Sequence, residues 1–132
     1  MFVPIRIWHC VLLSIFLFAL SCDTLDDESY YKLVVMSYGD TFVGTYTADS
    51  DIYVIKQYEI EVEGSIYTYS RGLGKLTSLD VDISGNSLNT SFLKVVLYQN
   101  EQKAGSQSAS PGDNNRIVFL SYTYTTSEVG RN

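Results

Sequence analysis

The chain has 132 residues, a formal net charge of −6 and a 45% hydrophobic content, which suits one globular domain with its own core. An acidic chain with no basic run is repelled by phosphate backbones, so nucleic acid is excluded as a partner. Only two cysteines, one histidine and one tryptophan are present, and where they fall decides which chemistry is open.

The N-terminal segment has the three parts of an export signal. Arg6, the only basic residue among the first thirty, marks a short positive start. From Ile7 to Leu20 the chain is apolar apart from His9, Cys10 and Ser14. As a helix such a run covers about 21 Å, short of the roughly 30 Å hydrocarbon core of a bilayer, so a signal h-region fits better than a membrane span. Small Ala19 and Ser21 stand at the third and first positions before Cys22, where a signal peptidase needs side chains that fit narrow pockets. The stretch Ala19-Leu20-Ser21-Cys22 resembles the lipobox of bacterial lipoproteins. It departs from the usual pattern, with Ala19 where Leu is preferred and Leu20 where a small residue is preferred, and in this it is similar to the relaxed lipoboxes of spirochaete lipoproteins. The resemblance implies that residues 1–21 are a signal peptide and that the Cys22 thiol carries a diacylglycerol. Ordinary secretion or an uncleaved helical anchor are the alternatives. Asp23 to Glu28 follow without apolar periodicity, so residues 22–30 read as an acidic tether between lipid and domain. The expected location is the cell envelope, on the outer membrane or the periplasmic face of the inner membrane. Asp23 directly after the lipid cysteine is similar to the inner-membrane retention signal of enteric bacteria.

Trp8, His9 and Cys10 all leave with residues 1–21. The remaining 111 residues hold no histidine, no tryptophan and one acylated cysteine, and with Arg6 gone eight basic residues face fifteen acidic ones for a net charge of −7. An intramolecular disulfide, zinc sites of the His/Cys type and His-activated nucleophiles are then excluded. Carboxylates, lysines, tyrosines and hydroxyls remain. No cofactor is expected.

From residue 31 the pattern is that of strands, with tyrosine, threonine and valine abundant. Tyr31 to Tyr38 is a strand closed by a hairpin signal at Gly39-Asp40. Thr41 to Thr47 alternates again, and Ala48 to Asp51 breaks it. Ile52 to Glu63 predicts one longer strand, with Tyr58, Ile60 and Val62 on one side and Glu59, Glu61 and Glu63 on the other. Gly64-Ser65 is a break before IYTYSR. Leu76 to Ser84 follows with Leu79, Val81 and Ile83 on one face, and Ser84-Gly85-Asn86-Ser87 is the next turn. Leu88 to Tyr98, apolar on both faces near Phe92 to Leu97, and Ile117 to Tyr124 are expected as central strands. Between them Ala104 to Asn115 reads as a loop or a weak edge strand. Seven or eight short strands predict an all-β antiparallel sandwich over residues 31–132, of an Ig-like kind, with a small barrel as the alternative.

The opening LVVMSYGDTFVGTYT and the closing FLKVVLYQNEQKAGSQSASPGDNNRIVFLSYTY are similar to the outer strand pairs of MmpS-like transport accessory proteins, with a turn at Gln99-Asn100-Glu101. That resemblance implies a small extracytoplasmic β-sandwich fixed to the membrane beside a lipid-exporting transporter. It carries over no functional residue.

Several local patterns are candidate sites. Asp80-Val81-Asp82-Ile83-Ser84-Gly85 has the opening spacing of an EF-hand calcium loop, but Ser91 stands where a bidentate Glu belongs. Asp80 and Asp82 are weak metal candidates, and a wet strand face opposite Leu79, Val81 and Ile83 is the simpler reading. Gly72-Leu73-Gly74-Lys75 lacks the first glycine and the hydroxyl of a phosphate loop and reads as a bulge or hairpin. Glu59, Glu61 and Glu63 could bind a cation but usually such a row is solvated. Eleven tyrosines are too many to be buried with every hydroxyl satisfied. Tyr67 and Tyr69 share one strand face, as do Tyr122 and Tyr124. Either pair would suit a protein or glycan surface, or would stabilise the sheet as cross-strand neighbours.

These readings combine into a non-catalytic, membrane-anchored β-sandwich lipoprotein that binds another macromolecule or assists an envelope complex. A surface adhesin or host-ligand binder is the alternative, and a hydrolase using carboxylates alone the third.

Overall fold

The computed structural model describes residues 29–85, 88–112 and 117–126. The signal, Cys22 and the tether through Glu28 lie outside them, as do Asn86 and Ser87 of the predicted turn. Among the described residues nine strands form: β1 (Tyr31–Tyr38), β2 (Phe42–Ala48), β3 (Asp51–Val54), β4 (Glu61–Glu63), β5 (Ile66–Gly74), β6 (Ser78–Gly85), β7 (Phe92–Gln99), β8 (Gln102–Ala109) and β9 (Phe119–Thr125). They build a five-stranded sheet of order β4-β5-β1-β7-β8 and a four-stranded sheet of order β3-β2-β6-β9, with every pairing antiparallel. The result is a sandwich of two separate sheets and not a closed barrel.

Alternation explains the core. Leu33 and Val35 of β1 and Leu93, Val95 and Leu97 of β7 project from one sheet, Leu79, Val81 and Ile83 of β6 from the other, and all belong to one buried cluster. Phe92 to Leu97 is central as expected, since β7 lies between β1 and β8 and even its outward Val96 is buried. Ala104 to Ala109 falls in β8, the edge strand that its weak pattern allowed. The turn at Asn100-Glu101 has φ of 48° and 67° at its two central residues, the type I′ geometry whose twist matches a hairpin. Leu73 is the extra residue of a bulge, because Tyr31 pairs with Gly74 while Lys32 pairs with Gly72.

Three expectations are corrected. Gly39-Asp40 is no hairpin, because β1 and β2 lie in different sheets and the segment crosses between layers. Gly39 sits at φ +102° with its N–H donating to the Ser65 carbonyl, and a Cβ there would run into the Asn89 carbonyl. Ile52 to Glu63 is two strands in two sheets, joined through buried Ile55 and a 3-10 turn at Gln57–Glu59. The Gln57 amide forces the break: its Nε2 donates to the Phe42 carbonyl at 2.7 Å and its Oε1 accepts from the Thr41 hydroxyl at 2.7 Å. Glu59 therefore leaves the row and lies 3.8 Å from Arg71, while Glu61 and Glu63 still share a face of β4. Finally, β9 is an edge strand paired only with β6, which is why its outward residues stay exposed.

Tyrosines join the layers. The hydroxyls of Tyr46 on β2 and Tyr69 on β5 share a hydrogen bond of 2.9 Å inside the core. Tyr31 on β1 packs against Tyr124 on β9 with ring centroids 5.9 Å apart. The Tyr122 hydroxyl of β9 lies so close over Gly105 of β8 that a Cβ there would have to displace it.

Tyr46→Phe leaves the Tyr69 hydroxyl buried without its partner, and urea denaturation should show a loss of about 1–2 kcal/mol. Gly105→Ala drives a methyl into the Tyr122 hydroxyl and should cost about 1–3 kcal/mol. Adding Tyr122→Phe to Gly105→Ala removes the colliding atom, so the double variant should recover most of that loss in the same assay.

Candidate binding surface

The described residues begin at Ser29 and Tyr30, and this N-terminal end of the sandwich is fixed by hydrogen bonds to the β7–β8 turn. The Tyr30 N–H donates to Asn100 Oδ1 at 2.8 Å, the Asn100 N–H returns to the Tyr30 carbonyl at 2.9 Å, and Gln99 Nε2 donates to Ser29 Oγ at 2.9 Å. The β2–β3 turn lies at the same end. Asp49, at φ 58°, accepts the N–H groups of Thr77 and Ser78 at 2.8 and 3.1 Å, and these bonds hold its carboxyl below the usual range.

The strand register places most exposed apolar side chains at the opposite end. β1 runs away from the N-terminal end to Tyr38, whose neighbours across the sheet are Ile66 and Phe92. Phe42 of β2 pairs with Gly85, and Phe119 of β9 with Ser84, so Val43 and Phe119 flank Ser84 near the same end. The Ser91 N–H bonds to the Tyr38 carbonyl and brings the segment containing Leu88 there. Tyr58 arrives with the 3-10 turn held by Thr41 and Phe42, with the Lys56 ammonium 5.7 Å from its ring centre. Phe119 is 70% exposed and Tyr58 78%. With Val62, Ile66, Leu88 and Ile117 these make a distal half that holds eight of the twelve exposed large apolar side chains among the described residues.

Beside Phe119 lies a depression of about 380 Å³ on the outer face of the four-stranded sheet, walled by Val43 and Phe119. Thr45, Asp82, Ser84 and Ser121 also line it, and the Ser121 hydroxyl donates to Asp82 at 2.8 Å. An apolar wall beside hydroxyls and one carboxylate suits a ligand that presents both an apolar face and hydrogen-bond donors. A larger groove of about 750 Å³ lies at the N-terminal end, between Tyr30, Lys32, Val34, Gly72 and Tyr98.

The residues singled out by the sequence that fall within the described range now have positions. Asp80 and Asp82 stand on the exposed face of β6, accepting from the Thr123 and Ser121 hydroxyls at 2.9 and 2.8 Å. Among the described residues no three histidine, cysteine, aspartate or glutamate side chains gather to hold a metal ion. Tyr69 is only 2% exposed, and Tyr67, Tyr122 and Tyr124 are half-buried against the core. These four tyrosines pack inward as sheet partners do. Cys22 lies outside the described residues. Phe119, Val43 and Leu88 carry no local signal, because single exposed apolar residues are ordinary in a sequence and only the register gathers them.

No family model matches this chain, and no curated protein or solved structure matches it either.

Burial raises the pKa of three of the inward tyrosines. Tyr31 is pushed from 10 up to about 12 by desolvation and by its hydrogen bond to Tyr124, while desolvation also raises Tyr46 and Tyr122. A phenol that holds its proton more tightly when folded stabilises the fold fully below pH ~10, and that contribution falls away as pH climbs toward the folded value. The Tm should therefore stay level from neutral pH to about 9 and fall steeply between about 10 and 12. Near-ultraviolet absorbance should show the last phenolates appearing together with unfolding.

Proposed function

We propose that this chain is a membrane-anchored envelope lipoprotein whose β-sandwich is a binding or accessory module for a protein or glycan partner. The observation that carries the reading is polarity along the long axis of the domain: the tether meets the sandwich at Tyr30, and the exposed apolar side chains collect at the other end. Monomeric soluble domains rarely gather such side chains without a partner for them. An anchor at one end and a sticky surface at the other is what a module held at a membrane needs.

The anchor rests on the sequence Ala19-Leu20-Ser21-Cys22 behind its apolar run. Among the described residues no helix is long and apolar enough to cross a membrane. Residues 22–30, extended, reach at most about 30 Å, so the domain stays near the surface but can tilt to meet a partner. Each buried methylene contributes about 0.8 kcal/mol, so two or three acyl chains hold firmly.

Two measurements together test the reading. Cys22→Ala should move the chain from the detergent phase to the aqueous phase in detergent partitioning; continued partitioning with detergent means the apolar run stays attached as a helical anchor. Affinity capture from solubilised membranes should recover a partner with the parent chain and lose it with Phe119→Glu. Equal recovery by both would remove the distal surface from the account.

A further inference from the structure

We propose that the groove at the N-terminal end, on the outer face of the five-stranded sheet, binds an uncharged sugar unit of an oligosaccharide. It is a second site, apart from the distal surface, and it stands whether or not the chain is lipidated. Its floor follows from the strand register. Gly72 of β5, Lys32 of β1 and Tyr98 of β7 stand side by side in one row across the sheet, with Val34 in the next row. The glycine makes a gap in that row, because a Cβ built on it would meet nothing within 4 Å. β4 pairs with β5 only from Ile66 to Thr68, so no strand covers the edge beside Gly72. A bulge flanks the row on each side. Leu73 is the extra residue on β5, and Ala104 is the extra residue on β8, since Leu97 pairs with Gly105 while Tyr98 pairs with Lys103. Bulges bend and twist the strands that carry them and re-aim the side chains beside them, which hollows the outer face at this level.

One wall is set before any ligand arrives. The main chain of Tyr30 exchanges two hydrogen bonds with Asn100, which sits in the type I′ turn at the end of β7. That clamp fixes Tyr30 and Asn100 together at the mouth of the groove, so little ordering is left to be done on binding. A volume of about 750 Å³ falls within the range of small-molecule sites.

The lining decides the class of ligand. Exposed Tyr30 and half-buried Tyr98 supply aromatic surface that can stack on the C–H face of a sugar ring. Beside them stand one ammonium, Lys32, one carboxylate, Glu101, and the Asn100 amide. Among the described residues neither Lys32 nor Glu101 is in an ion pair, and Asn100 has committed its Oδ1 to the Tyr30 N–H, which leaves its Nδ2 to donate outward. The groove therefore offers donors and an acceptor with no net charge. A phosphate or carboxylate would gain from Lys32 and lose to Glu101, and a purely apolar ligand would leave all three polar groups unmatched. Sugar hydroxyls both donate and accept, so they can use all three at once.

The full chain, solubilised in a polyoxyethylene detergent so that no sugar headgroup competes, is passed over immobilised maltotetraose, cellotetraose, chitotetraose and mannotetraose, and over polygalacturonate as the anionic comparison. The parent chain should be retained by at least one of the neutral oligosaccharides. Gly72→Phe, which fills the gap in the floor from a position where nothing is displaced, should keep the parent's Tm and weaken that retention about tenfold or more, and Tyr98→Ala should do the same to retention. Phe119→Glu, at the distal end, should bind as the parent does. Retention by none of the neutral oligosaccharides, stronger retention by polygalacturonate than by any of them, or equal binding by Gly72→Phe and the parent would overturn the proposal.

Discussion

The hydrogen bond between the Tyr46 and Tyr69 hydroxyls is the contact on which the sandwich turns, because it ties β2 of one sheet to β5 of the other in a fold that, on the lipoprotein reading, has no disulfide to do so. Two hydroxyls are the smallest polar pair that can be buried without a charge and still satisfy each other. The rings also fill the space between layers with large apolar area. Tyr31 with Tyr124, and Tyr122 over Gly105, repeat the device where β9 approaches β1 and β8. Burial, helped by the hydrogen bond, leaves these phenols un-ionised at ordinary pH, so the lock opens only in strong alkali.

That use of tyrosine shapes where binding can occur. With most inward phenols spent on joining sheets, exposed apolar surface is left to the distal end and to β3. Charge differs between the two faces. The outer face of the five-stranded sheet mixes Lys32, Lys94 and Lys103 with Glu61 and Glu63 of its β4 edge, while the outer face of the four-stranded sheet carries only acidic charge, Asp80 and Asp82, among its strand residues. A partner meeting the four-stranded sheet would meet an acidic face.

Alternation in the sequence was enough to place most strands, because a half-buried strand must repeat every second residue; YKLVVMSY and LDVDIS carry that pattern without interruption. It could not say which sheet a strand joins. Gly39-Asp40 has the letters of a hairpin and serves as a crossover, since the same backbone freedom suits both. The Ile52 to Glu63 stretch alternates through a break made by one long-range amide, that of Gln57, which no local window contains. For the tyrosines, i and i+2 spacing fixes a shared face but not its direction, and Tyr69 faces the core because β5 pairs with β1 at Val35. The distal surface was invisible for the same reason: Val43, Leu88 and Phe119 come from separate stretches and meet only through register.

Residue-resolved chemical modification of the native chain tests the central claim, that tyrosines hold the two sheets together from inside. Brief nitration followed by peptide mass spectrometry should label Tyr30, Tyr38 and Tyr58 first and leave Tyr31, Tyr46 and Tyr69 untouched until the domain unfolds. Labelling of Tyr46 and Tyr69 in the folded chain at the rate of Tyr58 would contradict it.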